Sequence, residues 1–575
     1  MLLSLPGIAS AATAPSPDDL PNQFANQSLP NTPRSTAGLD PYTGTFGIDE
    51  QLHLLRRTLF GVKRSDLAAI SGKSLGDIVT LLLTPGTVPD PPLNNYTASY
   101  PDVNVPDGQT WVNAPYGDAT GSPNSYRTSS FKSWWTGLMI DQEISLREKM
   151  TLFWHNHFAT ETNIVGDARY TYKHNALLRQ YALGNFKSLF KAITIDPNML
   201  RYLNGNVNTR TSPNENYGRE MLELFTIGKG PERAPGDYTN YTEDDVKAAA
   251  RVLTGWRDDY TTTPVSAYFE PDLIPTSTRH DTTNKIFSAS FNNTVITGRT
   301  GANGKLEIDD LITMVFAQLE TANFICRKLY RFFVYYVIDA TTEANVIAPL
   351  ATILRANNYE VAPVLKALLS SAHFFDPINR GCMIKNPIDF TVGLCRQFSC
   401  ILPTAAAGLA TRYSTLDYVR SQAASMNMNI GDPPDVSGWA AYWLTPQYYE
   451  LWINSDTLPK RNIYSDLMIS TNGYSSKKIV IDPLAFADSF QAPSDPNLLI
   501  ADIAKHLYPI PITAAQTGQL KAYLLSNQAS DYYWTDAWNL YKADVTNATN
   551  KNIVFLRLQG MIKFMMSSMS EYQLS

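Results

Sequence analysis

Apolar positions recur at helical intervals along most of the chain, most clearly from Ser212 to Trp256, SPNENYGREMLELFTIGKGPERAPGDYTNYTEDDVKAAARVLTGW. At ~100° per residue, Met221, Leu222, Leu224, Phe225 and Ile227 supply the apolar side of one helix. Glu215, Arg219, Glu223 and Thr226 share another side, with Asn216 and Glu220 beside them. Ser212 as N-cap, Pro213 in the first turn and Glu215 three residues after the cap predict a capping box, and Gly228 a stop. Thr242 with Asp245 repeats the pattern for a second helix, whose first turn (Glu243, Asp244, Asp245) complements the helix dipole and whose end is marked by Gly255.

The same periodicity organises the remainder. IDEQLHLLRRTLFG places Leu52, Leu55 and Leu59 on one face before Gly61, and two short helices follow in SDLAAI and SLGDIVTLLLTPG. Residues 84–130, rich in Pro, Asn, Asp and Tyr, predict a long loop of the kind that is usually functional or mobile. Ser145 and Glu148 predict a further capping box and a helix from about Leu146 to Phe158. Beyond Trp256, aromatic and β-branched residues alternate with turn residues and predict one or two small hairpins. Long amphipathic helices then cover IDDLITMVFAQLETANFICRKLYRFFVYYV and NVIAPLATILRANNYEVAPVLKALLSSAHFF, with Arg327, Lys328 and Arg331 expected on a solvated or ion-paired face. The last helix, KNIVFLRLQGMIKFMMSSMSEYQLS, is Met-rich, broken at Gly560 and expected to dock on the core. The chain therefore reads as mainly α: a large multi-helix globular protein with a few short β-hairpins and long loops. Its divisions are a signal-like segment and flexible lead-in over 1–45, a helical core over 46–455, and a C-terminal helical region packed on that core over 456–575.

Composition narrows the function. Over 575 residues, 47 Lys+Arg against 53 Asp+Glu give a net charge of -6 with no basic run, which argues against a nucleic-acid partner. No internal apolar run reaches the ~20 residues of a membrane span. MLLSLPGIASAATAPSP resembles the end of a secretory signal and predicts export to the periplasm, cell surface or medium. Cys326, Cys382, Cys395 and Cys400 match no zinc spacing; one or two ordinary disulfides would suit export, and Cys326 reads as a small buried hydrophobe.

Several residues are candidates for chemistry. His155 and His157 form an HxH pair, but two such imidazoles converge on one ion from a strand, whereas a helix turns them ~200° apart. His280, Asp281 and Lys285 lie in a loop where a His-Asp pair serves as ligand and support, or as acid/base and orienting group. The turn GDPPDVSGWAAYW carries Trp439, Tyr442 and Trp443, either a platform for sugar rings or an aromatic core that locks the turn down. Each set has a structural alternative, the Glu215–Glu223 face being also a solvated stripe laced by i,i+4 pairs. No GxSxG, Walker, HExxH, Rossmann or CxxC pattern occurs.

LREKMTLFWHNHFAT, SPNENYGREMLELFTIG and YTEDDVKAAARVLTGW, in this order, resemble signature blocks of the bacterial family catalogued as domain of unknown function 1800. HDTTNKIF, ANFICRKLYRFFV, MIKNPIDFTVGLCRQF and GDPPDVSGWAAYWL resemble its later blocks, so the likeness covers roughly residues 50–455. The resemblance implies a large, mostly helical, usually exported bacterial protein, often encoded beside a second exported family that looks sulfatase-related, and brings no established activity. The loop KGPERAPGDYTNY looks longer than that family's usual connection.

Two functions remain open. One is an exported hydrolase of a surface or extracellular polymer, its divalent metal (identity unspecified) held by His155 or His157 with Glu223. Glu215 or Glu220 would be the base, His280 and Asp281 would complete the site, and Arg219 or Lys285 would stabilise developing negative charge. The other is a non-catalytic envelope or extracellular protein that binds a polysaccharide or a co-exported envelope protein through the polar face and the aromatic turn.

Overall fold

The computed structural model describes residues 35–116, 123–235, 237–271, 279–404, 408–470 and 479–575; the signal-like segment and most of the lead-in lie outside them. The architecture is mainly α. Among the described residues, strand is limited to three two-stranded antiparallel ladders: Glu232–Ala234 with Asp237–Tyr238, Trp256–Asp259 with Ser266–Phe269, and Lys285–Ile286 with Val295–Ile296. No helix among the described residues is long and apolar enough to cross a membrane.

Apolar faces close into two large cores. The first gathers Leu52 and Leu55 of the helix Ile48–Thr58 with Phe158, Phe186, Met221, Phe225, Leu329 and Phe333. The second gathers Trp111, Trp135, Val392, Tyr464, Leu558 and Met565, and so draws chain from both sides of residue 455. The helix Arg147–His157 lies between them, with Met150, Phe153 and Trp154 in the first core and Leu152 in the second.

Local signals are realised with informative exceptions. Thr242 and Asp245 form the expected capping box of the helix Glu243–Val252. The preceding helix, Glu215–Glu223, is capped by Asn214 rather than Ser212: Ser212 is bridged to Thr209, and the Asn214 side chain accepts the Tyr217 N–H at 3.2 Å. Glu148 makes no capping box. It is buried, and its carboxylate takes the Arg179 guanidinium at 2.7 and 3.0 Å and the Trp135 indole at 3.1 Å. The predicted loop 84–130 ends earlier, at the helix Asn124–Asp141, and its first part is folded inward. Trp111 is buried, and Arg127 donates to Asp102 at 2.9 Å and to the Ala114 carbonyl at 2.8 Å. Gly560 does not break the last helix, Ala548–Ser567; its missing side chain makes room for the Tyr523 ring. The four cysteines are free thiols, with Cys326 fully buried.

The helix Ile48–Thr58 leads into a close crossing with the helix Pro387–Gln397. Gly61 holds φ at +85°, and a Cβ there would sit 2.7 Å from Gly393 Cα, whereas a Cβ on Gly393 finds its nearest atom at 3.7 Å. We expect Gly61→Ala to lower the unfolding free energy by about 2–3 kcal/mol, and Gly393→Ala to be neutral or slightly stabilising, in urea titrations of the two variants.

Candidate acid–base cleft

The C-terminal turn of the helix Arg147–His157 carries three polar side chains into the interior, and each is committed to a backbone group. The Gly431 N–H donates to His155 Nε2 at 3.1 Å. The Trp439 N–H donates to Asn156 Oδ1 at 2.9 Å. His157 Nε2 lies 3.2 Å from the Phe225 carbonyl and its Nδ1 3.1 Å from the Lys328 amine. Two of these bonds strap down the turn over residues 431–443. Asp432 adds an ion pair to Lys132 and accepts from the Thr162 N–H at 2.8 Å and hydroxyl at 2.6 Å. Gly438, at positive φ, leaves no room for a Cβ against Asn156.

The helix runs through His157, so the two imidazoles diverge and do not meet at one ion. Burial is the main cause that lowers His155 to about 3; it also takes His157 well below the usual range, with Lys328 adding to it. Both rings are therefore neutral at physiological pH. Among the described residues, no group of three or more His, Cys, Asp or Glu side chains is arranged to hold a metal ion.

The polar face of the helix Glu215–Glu223 divides by partner. Glu215 is exposed. Arg219 forms a bidentate pair with Glu243 at 2.6 and 2.5 Å, and Glu223 accepts from the Tyr241 hydroxyl. Glu220 has no hydrogen-bond partner among the described residues. Burial first, then repulsion from Glu223 and Asp435, holds its carboxyl up at about 7 against a countering Arg219. Asp435 is raised by burial even though the Ser437 N–H donates to it at 2.7 Å. Glu161, raised by burial, accepts from the Tyr202 hydroxyl at 3.1 Å, and Tyr202 is in electrostatic reach of Asp435 and Glu220 as well. Glu161, Glu220 and Asp435 thus form one partly buried carboxylate cluster, with proton affinities pushed upward by burial and by like charge.

Next to this cluster, Asn156, His157, Lys328, Ser437, Tyr442 and Trp443 border a cavity of about 20 Å³, room for a single water. Among the described residues Lys328 makes no ion pair; its amine donates to the Leu224 carbonyl at 3.1 Å, and burial with Arg331 nearby lowers it to about 7. Arg327 pairs with Glu320 and Glu343, as expected of a charged face, whereas Lys328 and Arg331 turn inward. The signal for Lys328 was present in the sequence, since Phe324, Ile325 and Phe332 flank it at helical intervals.

The remaining candidates fall elsewhere. His280, Lys285 and Glu307 are fully buried: His280 Nε2 lies 3.1 Å from Glu307 Oε1, the Lys285 amine 2.5 Å from Oε2, and the Arg299 N–H donates to Oε1 at 2.6 Å. Asp281 pairs with Arg251 at 2.7 Å and, despite partial burial, is held down to about 2 by hydrogen bonds from Arg251 and Thr283. This satisfied network ties the hairpin region to the helix Glu307–Phe316. Trp439 is buried, edge-on to the His155 ring at 5.7 Å. Tyr442 packs on Phe332 at 5.5 Å and on Trp452 at 5.9 Å, so it and Trp443 reach the small cavity without forming an open platform.

Fold and site define a mainly helical protein in which a buried polar helix holds a turn beside a cluster of carboxylates. The sequence profile of the family described as Protein of unknown function (DUF1800) matches residues 53–574, nearly the whole chain, and the chain belongs to that family. No curated protein and no solved structure matches it.

Two stability measurements follow from these environments. Glu220 ionises near 4.5 when unfolded and near 7 when folded, so its cost to the fold is absent below about pH 4 and complete above pH 7. Glu220→Gln should match the wild type at pH 4 and exceed it by about 2 kcal/mol at pH 8 in urea titrations. Lys285→Met leaves the Glu307 carboxylate short of its cation and should cost about 3 kcal/mol by the same measurement at pH 7.

Proposed function

We propose that the chain is an exported hydrolase of a neutral or amine-bearing polysaccharide, with Glu220 as the proton-transfer group. The observation that supports this reading is the Glu220 carboxyl itself: half-buried beside two other carboxylates, without a hydrogen-bond partner among the described residues and poised near neutrality, where a general acid or base is most effective. Protonated, it can donate to a leaving alkoxide; ionised, it can take a proton from attacking water. Asp435 and Glu161 supply the negative potential that stabilises positive charge developing on a sugar ring. The same potential repels phosphate and sulfate groups, which favours uncharged or cationic polymers over sulfated ones.

The imidazoles of His155 and His157 are engaged with the chain's own groups. Assay of the purified protein against neutral, amino and sulfated polysaccharides tests the proposal. Turnover is expected on the first two classes, with Glu220→Gln slower by about 10²–10⁴-fold and equally folded. Turnover confined to sulfated polymers, or undiminished in Glu220→Gln, would falsify the reading. Saturable glycan binding without turnover would favour a binding protein instead.

A further inference from the structure

The helix Pro387–Gln397 ends in a cap with a cysteine at each end. After Phe398, Ser399 takes the left-handed conformation at φ +50°, and two backbone bonds close the turn. The Ser399 N–H donates to the Arg396 carbonyl at 2.9 Å, and the Cys400 N–H reaches back to the Cys395 carbonyl at 2.8 Å. In a helix end closed by this pair of bonds, the two residues joined by the longer one face each other, and an apolar contact usually fills the space between them. Here both positions are cysteine. With ordinary backbone bond lengths, the 2.8 Å bond keeps their α-carbons within ~6.7 Å, inside the roughly 4.4–6.8 Å that a disulfide spans.

The side chains point the same way. The two thiols are in hydrogen-bond contact, and Cys395 Sγ lies 3.5 Å from the Tyr464 hydroxyl. Cys395 is buried, whereas Cys400 is partly exposed. Both border a cavity of about 370 Å³ that Lys63, Asp141 and Arg412 also reach, room for roughly a dozen waters or a small disulfide reagent. The other two cysteines are placed differently: Cys326 is enclosed in the first core, and the Cys382 thiol donates to the Asn379 carbonyl at 3.3 Å.

We infer that Cys395 and Cys400 are an oxidisable pair, which a small-molecule disulfide converts into a bridge across the end of the helix Pro387–Gln397. The Cys400 thiolate attacks one sulfur of the oxidant and expels the other as a thiol, leaving a mixed disulfide on Cys400. The Cys395 thiolate then attacks Cys400 Sγ and expels the second thiol. Two protons leave the protein for the two departing thiolates, and the two electrons that reduce the oxidant come from the pair. The bridge fixes the turn beside Arg396, whose guanidinium donates to Asp66 at 3.0 Å and to the Ile140 and Gln142 carbonyls at 2.8 and 2.9 Å. It uses none of the carboxylates around Glu220.

Peptide mapping of the full chain tests the inference, because trypsin cuts after Arg396, between the two cysteines. Reduced, desalted protein is held folded with excess oxidised glutathione, alkylated and digested without reductant. Residues 386–396 and 397–412 are expected as one joined species that a reductant separates, while thiols titrated in denaturant fall from four to two. Cys382→Ser should keep the joined species, and Cys400→Ser should keep all of its remaining thiols. A treated wild type with four free thiols overturns the assignment, as does glutathione left on either peptide without joining. A bridge that includes Cys326 or Cys382, or one that forms only in urea, would overturn it as well.

Discussion

The helix Arg147–His157 lies between two apolar cores, yet it carries Glu148, Lys149, His155, Asn156 and His157, most of them nearly inaccessible to solvent. A buried polar group without a partner costs several kcal/mol in a protein interior, so each of these side chains must find one. Their partners come from distant parts of the chain: Arg179 for Glu148, Asp389 for Lys149, Gly431 for His155, Trp439 for Asn156, and Phe225 with Lys328 for His157. Satisfying this one helix therefore brings together the helices Ala168–Gln180, Leu319–Phe333 and Pro387–Gln397, the end of the polar-faced helix and the aromatic turn.

The carboxylate cluster is a by-product of that satisfaction. Once residues 431–443 are strapped over the end of the central helix, Asp435 is held within electrostatic reach of Glu220, and the Ser437 side of the turn closes over Lys328. Among the described residues Glu220 is the half-buried carboxylate of its helix face left without a side-chain partner after Arg219 has taken Glu243 and Glu223 has taken Tyr241. Its raised proton affinity thus arises from position, through burial and two neighbouring carboxylates, and not from any local motif.

Much of this was legible in the residues. Apolar spacing predicts the helices Arg147–His157, Glu215–Glu223 and Glu243–Val252, the last with its capping pair realised, and the alternation beyond Trp256 predicts the hairpins. Three of the blocks that carry the family resemblance, which contain LFWHNHFAT, NENYGREMLELF and GDPPDVSGW, lie at or beside the carboxylate cluster. Capping logic failed at Glu148, where an acid suitably spaced from Ser145 was required by Arg179 across the interior instead. The HxH pair and the His280-Asp281 pair are suggestive spacings whose side chains serve packing and ion pairing, because spacing does not report which direction is solvent.

Sequence alone determined the class of this protein: periodicity, caps and composition specify a large mainly α chain without a basic face, since these are local properties of neighbouring residues. The tertiary structure alone decided which polar residues stay free. A carboxylate such as Glu220 differs from its neighbours only in what the rest of the chain places opposite it. That depends on contacts between residues hundreds of positions apart, where burial and the balance of charge are set.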